Sequence, residues 1–328
     1  MRLIKRLLFL VLLGSALFAA VMGYYATRPL SLPVQPFEFS LKQGSSLKAA
    51  SRQMQQAGVL PNDWMFAWLG RALGKSAQIK AGNYELEAAV TPLELLNIVT
   101  KGRVSLSEVV IIEGRTFNQL RYELNANPAV RHDSLTLSEA EILQRIGASE
   151  GKAEGLFFPD TYYFANGSSD LSVLKRAYQT MQKYLQENWQ ARTPGLPLDS
   201  PYQALVLASI VEKETGQAGD RGMVAGVFIN RLRKGMMLQT DPTVIYGVGE
   251  NFDGNLRKRD LLTDTPYNTY TRRGLPPTPI ALPGLASLQA TLHPAPTDAL
   301  YFVGRGDGSS EFSGTLEQHN RAVNKYQK

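Results

Sequence analysis

The feature that most constrains this chain lies at its start. Arg2, Lys5 and Arg6 precede Leu7–Tyr25, a stretch with no charged side chain. As a helix it rises by about 28 Å, close to the ~30 Å hydrocarbon core of a bilayer. Positive charge before such a run stays cytoplasmic, so residues 1–6 are expected inside and everything after residue 25 outside. Tyr24 and Tyr25 then fall at the far interface. The competing reading is a cleaved signal peptide, because Gly14-Ser15-Ala16 and Val21-Met22-Gly23 offer small-residue sites. The first site leaves a very short apolar core and the second has only Val upstream, which favours a retained anchor. Either way, the body of the chain folds outside the cytoplasm.

With 328 residues, of which 44% are hydrophobic, that body is long enough for two domains that each bury a core. Cysteine is absent, which removes thiol nucleophiles, disulfides, Cys-based zinc sites and a lipoprotein anchor together. His132, His293 and His319 are far apart and form no metal-ligand pair, so neither metal nor cofactor is expected. The net charge is +6, but the Lys and Arg residues are scattered. Without a basic stripe interleaved with aromatics, nucleic acid is not an expected partner.

Residues 26–36, ATRPLSLPVQP, read as a stiff proline-bearing spacer. From Phe37 a strand pattern turns at Gly44 and passes to a helix capped by Ser46, with Leu47, Ala50 and Met54 at helical spacing. The same pattern returns from Val109, with Gly114 and Thr116 in the equivalent places and Phe117, Leu120 and Leu124 behind them, as in an internal repeat. Between them lie a strand around Tyr84 and a helix opened by the capping box Thr91-Pro-Leu-Glu94. The unit from Phe37 to about Gly102 thus has a strand, helix, helix, strand order and resembles LysM-type glycan-binding modules. A generic α+β spacer fits the same pattern. Residues 37–150 are therefore expected to form a small LysM-like α+β region, and residues 151–328 a helix-rich α+β catalytic domain whose Gly-, Pro- and Tyr-rich second half shapes a cleft.

Within that domain, Ser200 caps and Pro201 opens a helix, SPYQALVLASIVEKETG, that ends at Gly216. It is apolar around most of its circumference from Ala204 to Val211, as a central buried helix would be. At 100° per residue, Glu212 and Glu214 point about 200° apart, so one cleft cannot receive both from this helix. Glu214 falls in angle between Leu207 and Ile210. Apolar neighbours favour the neutral carboxyl, which a general acid needs near neutral pH. Two acids in a last turn also oppose the helix dipole, by about 0.3–1 kcal/mol.

The segment ASIVEKETG, then VAGVFINRLRKGMMLQTDPTVIYG, YNTY, GLPPTPI and LHPAP, resembles the YceG-like family of endolytic murein transglycosylases over nearly the whole chain. Thr278 and Leu282 depart from the pattern of many relatives. The resemblance implies cleavage of peptidoglycan between N-acetylmuramic acid and N-acetylglucosamine, leaving 1,6-anhydro ends, with Glu214 as the single catalytic acid/base. It further implies an inner-membrane protein with a periplasmic catalytic domain that cuts nascent strands, limits their length and works beside peptidoglycan synthases. Gln239, Asp241, Tyr246, Tyr267, Asn268 and Tyr270 combine amides, a carboxylate and aromatic faces in a way that suits N-acetylated sugars, and are the candidate substrate contacts. Asn230 and Arg231 can equally brace the helix they follow, and His293 suits a turn. Asp220 or Asp241 as a second carboxylate would make the enzyme a hydrolytic muramidase. A non-catalytic wall-binding scaffold is a further alternative.

Overall fold

The computed structural model describes residues 2–32, 37–42, 44–86, 88–101, 106–215 and 217–327. The elements, in chain order, are α1 Arg2–Thr27, β1 Phe37–Leu41, α2 Leu47–Gln56, α3 Asp63–Ala72, β2 Gly82–Leu86, α4 Pro92–Lys101, β3 Leu106–Val110, α5 Phe117–Ala126, β4 Val130–Arg131, α6 Glu139–Ile146, β5 Thr161–Ala165, β6 Ser168–Ser169, α7 Asp170–Gln190, α8 Pro201–Glu214, α9 Arg221–Arg233, α10 Asp241–Val248, α11 Lys258–Leu262, α12 Leu285–Leu292, β7 Tyr301–Gly304, β8 Ser310–Ser313 and α13 Leu316–Tyr326. The fold is α+β and helix-rich, and the described strands form two-stranded ribbons. It divides into two compact units, Met1–Ser107 with Tyr163–Ser168, and Glu108–Tyr162 with Ser169–Lys328.

In the first unit, α1 carries a largely exposed stretch, Leu8–Thr27, long and apolar enough to cross a membrane. The module beyond it follows the order β1, α2, α3, β2, α4, with β1 antiparallel to β2 and Phe39 opposite Tyr84. Alternation along β1 buries Phe37, Phe39 and Leu41 on one face. Their cross-strand partners include the stacked Tyr84 ring, 5.3 Å from Phe39. The predicted caps are present. The Ser46 hydroxyl accepts from Ala49 N, Thr91 and Glu94 form a reciprocal box, and Gly44 turns at φ 76°. The expected spacer differs. α1 continues to Thr27, Tyr25, Ala26 and Leu30 are buried in the module core, and Leu30 N donates to Val90 O at 2.8 Å. Residues 33–36 and Gly102 lie outside the described residues.

The second unit is organised around α8. Ala204 through Val211 are all buried, with α7, α9, α10 and α12 packed about them. Truncating Leu205 or Leu207 there would open a cavity costing about 2–5 kcal/mol. Ser200 accepts from Gln203 N at 3.3 Å and Pro201 occupies the first turn, as the sequence predicts. The predicted stop, Gly216, lies outside the described residues. Ser209, the polar residue of the buried run, is satisfied: its hydroxyl donates to Val206 O at 2.7 Å and accepts from Ile280 N at 3.0 Å.

Residues 108–150, grouped with the first module by their repeated pattern, pack within the second unit. The cause is local. Phe117 stacks on Phe157 at 5.1 Å, and Phe117 N donates to the buried carboxylate of Glu154 at 2.9 Å. A similar strand-turn-helix pattern thus serves two different cores.

Candidate active site

Glu214 is the last residue of α8, so the buried helix holds it up like a rod. Its Oε2 accepts from Thr240 Oγ1 at 3.3 Å. The carboxyl faces a cavity of about 450 Å³ lined by Arg231, Gln239, Asp241, Tyr270, Tyr301 and His319 among others. Burial pushes its pKa up to about 7, and the nearby Asp241 carboxylate pushes the same way. The Thr240 hydrogen bond and the Arg231 charge oppose them. The side chain is therefore divided between neutral and ionised forms near neutral pH, the condition for giving a proton and taking one back.

The cavity walls come from distant parts of the chain. Arg231, buried on α9, donates to Leu300 O and Leu238 O, both at 2.7 Å, so one guanidinium joins the loop before α10 to the start of β7. Burial pulls Arg231 below the usual arginine range. Asn230 donates to Thr297 O at 2.7 Å and Ala299 O at 3.1 Å. α9 can approach this segment because Gly226 has no side chain; a Cβ there would lie 2.8 Å from Thr297 Cγ2 and 2.9 Å from Ala295 O. Gln239, which lines the same cavity, has φ 48°, the positive-φ non-glycine residue among those described. Such backbone costs about 1–2 kcal/mol. It is held by Gln239 N donating to Thr269 O and Thr240 N donating to Thr269 Oγ1, both at 3.1 Å.

The sequence-predicted residues divide into two groups. Gln239, Asp241 and Tyr270 line the Glu214 cavity, where the Tyr270 hydroxyl donates to Asp241 Oδ1 at 2.6 Å. Tyr246, Tyr267 and Asn268 are engaged elsewhere. The Tyr246 hydroxyl donates to Glu154 Oε2 at 3.0 Å, and its ring meets Tyr267 edge-on at 4.8 Å. Tyr267 reaches Thr278 Oγ1 at 2.9 Å. Asn268 is fully buried, with its amide nitrogen on Asp260 O, Leu261 O and Thr263 O and its oxygen accepting from Tyr270 N, so it shapes the loop that carries Tyr270. Glu212 is also committed. Its Oε2 accepts from Gly284 N at 3.0 Å and Ser287 Oγ at 2.7 Å at the start of α12. Asp220 accepts from Ser310 N at 2.6 Å.

Sequence reasoning missed the far wall, made by Tyr301 of β7 and His319 of α13, whose rings stack at 5.2 Å. Burial and the Arg231 charge pull His319 below the ordinary histidine value, so it is neutral near pH 7. The available signal was the amphipathic pattern LEQHNRAVNKY behind a short strand pair, which marks a packed helix without saying what it faces. Among the described residues no group of His, Asp or Glu is arranged to hold a metal ion.

A half-withdrawn carboxyl on a buried helix, faced by a carboxylate, amides and aromatic rings, is the layout of an acid/base site for a polar, ring-bearing substrate. The YceG-like family model matches residues 39–325, and the chain belongs to that family. It is 30% identical over 312 residues to the endolytic murein transglycosylase of Bacillus subtilis, covering 88% of this chain and 84% of that one. It is 25% identical to the endolytic murein transglycosylase of Streptococcus pneumoniae D39 over 96% of this chain, which spans 64% of the longer pneumococcal protein. The crystal structure of a YceG-like protein from Listeria monocytogenes superposes with a TM-score of 0.53 at 30% identity, covering 88% of this chain and 98% of that one.

Proposed function

We propose that this chain is a membrane-tethered lytic transglycosylase that cuts peptidoglycan strands internally, with Glu214 as its catalytic group. The observation that carries the reading is the Glu214 carboxyl, raised to about 7 and open to a cavity wide enough for sugar rings. The names of the relatives supply the substrate class. Protonated Glu214 gives its proton to the oxygen linking C1 of N-acetylmuramic acid to N-acetylglucosamine, and the C1–O bond breaks. The C6 hydroxyl of the same muramic acid then attacks C1 and yields its proton to the Glu214 carboxylate. A 1,6-anhydro end forms, no water is consumed, and the enzyme regains its starting protonation state. Tyr270, Gln239 and the stacked Tyr301–His319 wall supply polar edges and ring faces for the sugars.

The order β1, α2, α3, β2 with β1 and β2 paired supports a LysM-like glycan-binding role for the first module. Arg2, Lys5 and Arg6 ahead of the apolar helix support a cytoplasmic N-terminus, a single inner-membrane span and a periplasmic body. A cutter held at the membrane meets strands as they are made, beside the synthases that extend them, and shortens them.

Hydrolysis is the second reading, favoured by the presence of Asp241 in the same cavity as Glu214. Mass analysis of digested peptidoglycan separates the two, because anhydro products are one water lighter. Glu214→Gln keeps the shape and removes the proton donor. A rate loss of about 10²–10⁴-fold is expected; anhydro products formed at the full rate by that variant would defeat the assignment of Glu214 and leave the lytic reading standing.

A further inference from the structure

Two of the chain's three tryptophans occupy the outward face of α3. Phe66, Ala67, Leu69 and Gly70 bury the inner face, while Trp64 and Trp68, one turn apart, remain 51% and 49% exposed. Arg71 continues the outward stripe and is also exposed. A water-facing helix surface ordinarily carries charged and small polar residues, and two indoles side by side there call for a partner.

Its position names the partner. The Trp68 ring meets Phe18 of α1 edge-on, with centroids 6.0 Å apart. Phe18 lies inside the apolar span and remains 45% exposed beside that contact. The contact is reinforced by the seating of α1 and the residues just after it: Tyr25, Ala26 and Leu30 are buried in the module core, so module and anchor belong to one compact unit. Phe18 precedes Tyr25 by seven positions, or about 10 Å along a helix. If α1 crosses a bilayer with the exposed Tyr24 at the interface, Trp68 sits at the depth of Phe18. Apolar faces of interfacial helices sink about 5–10 Å, which matches that depth once the length of an indole is allowed for.

We infer that the outward face of α3 is a lipid-contact surface, in which Trp64 and Trp68 enter the leaflet reached by the C-terminal end of α1. Arg71, on the same stripe, meets the lipid phosphates. Tryptophan is the residue that favours this zone, because its ring is apolar and its N–H reaches the polar boundary. The anchor is therefore a two-point mount, a crossing helix plus a wedge beside it, which fixes the module's height and tilt on the membrane. The inference rests on α1 crossing the bilayer and is independent of the glycan chemistry.

The test uses the full chain with Trp189→Phe, reconstituted into vesicles of phosphatidylethanolamine and phosphatidylglycerol, with Trp189→Tyr as a second background if the first fails to fold by circular dichroism. Flotation first establishes insertion, and a chain that does not float removes the anchor and the inference together. In floated vesicles, lipids brominated on the upper acyl carbons are expected to quench Trp64 and Trp68, while aqueous acrylamide is expected to quench them weakly. Strong acrylamide quenching with no response to brominated lipid would overturn the inference and leave a protein partner as the occupant of that face.

Discussion

Glu154 and Glu214, both in the second unit, are withdrawn from water and both raised to about 7, chiefly by burial. What they face is different. Glu154 is 7% exposed, and its oxygens are taken by Phe117 N and the Tyr246 hydroxyl, which ties three separated segments into one core. Glu214 has a side-chain bond from Thr240 and an open cavity in front of it. A raised carboxyl is thus common to a structural knot and a candidate acid. The features that separate them are room for a reacting atom and oxygen lone pairs left uncommitted.

The sharpest break of this comparison is to remove each acid in turn. Glu214→Gln should cost about 10²–10⁴-fold in strand cleavage with the fold intact, whereas Glu154→Gln should leave the rate within a few-fold. Stability should reverse the order. Glu154→Ala strands the Phe117 N–H and the Tyr246 hydroxyl and should cost about 1–3 kcal/mol in denaturant unfolding. Equal rate losses for the two Gln variants would dissolve the distinction.

The acids also differ in how their environments are tuned, and pH exposes this. If Glu214 must start protonated, cleavage should decline as pH rises through about 7. Because its folded pKa lies above the ordinary 4.5, the protonated form stabilises the fold below 4.5, and that contribution is lost as pH rises through about 7. Glu214→Gln should therefore unfold at higher denaturant than the parent at pH 8, with the gap closing near pH 4. Asp241→Asn removes the charge that holds Glu214 up, and the falling limb of the rate profile should move to lower pH. Thr240→Val removes the bond that holds it down, and the limb should move to higher pH. Shifts of the same sign in both variants would mean that Glu214 is not the group being titrated.

Much of this was legible in the sequence where the information is local. Ser46, Thr91 and Ser200 announced their helices, and the apolar circumference of α8 announced its burial, because caps and periodicity depend on neighbours within one turn. The angular separation of Glu212 and Glu214 likewise sent them to different surroundings, one to the start of α12 and one to the cavity. The packing of residues 108–150 depends on Phe157 and Glu154, which no local pattern predicts. The Tyr301–His319 wall was invisible for the same reason, since those rings come from β7 and α13 and meet Glu214 only through the tertiary fold. Choosing Glu214 over Glu212 as catalytic came from family resemblance, not from helix geometry.

The smallest effect concerns the strained wall. Gln239 lines the cavity with φ 48°, a conformation glycine adopts without cost. Gln239→Gly should relieve about 1–2 kcal/mol of backbone strain and return about 0.5–1 kcal/mol to the unfolded chain as entropy. The net gain then lies between about 0 and 1.5 kcal/mol, a rise of at most roughly 5 °C in melting temperature. Gln239→Ala keeps the strained backbone and loses the same amide, so its melting temperature should stay at the parental value. If the side chain positions substrate, both variants should lower the cleavage rate to the same degree while only the glycine variant gains stability. A glycine variant that melts lower than the parent would show that the wall is held by contacts of the Gln239 side chain and not by the Thr269 bonds to the backbone.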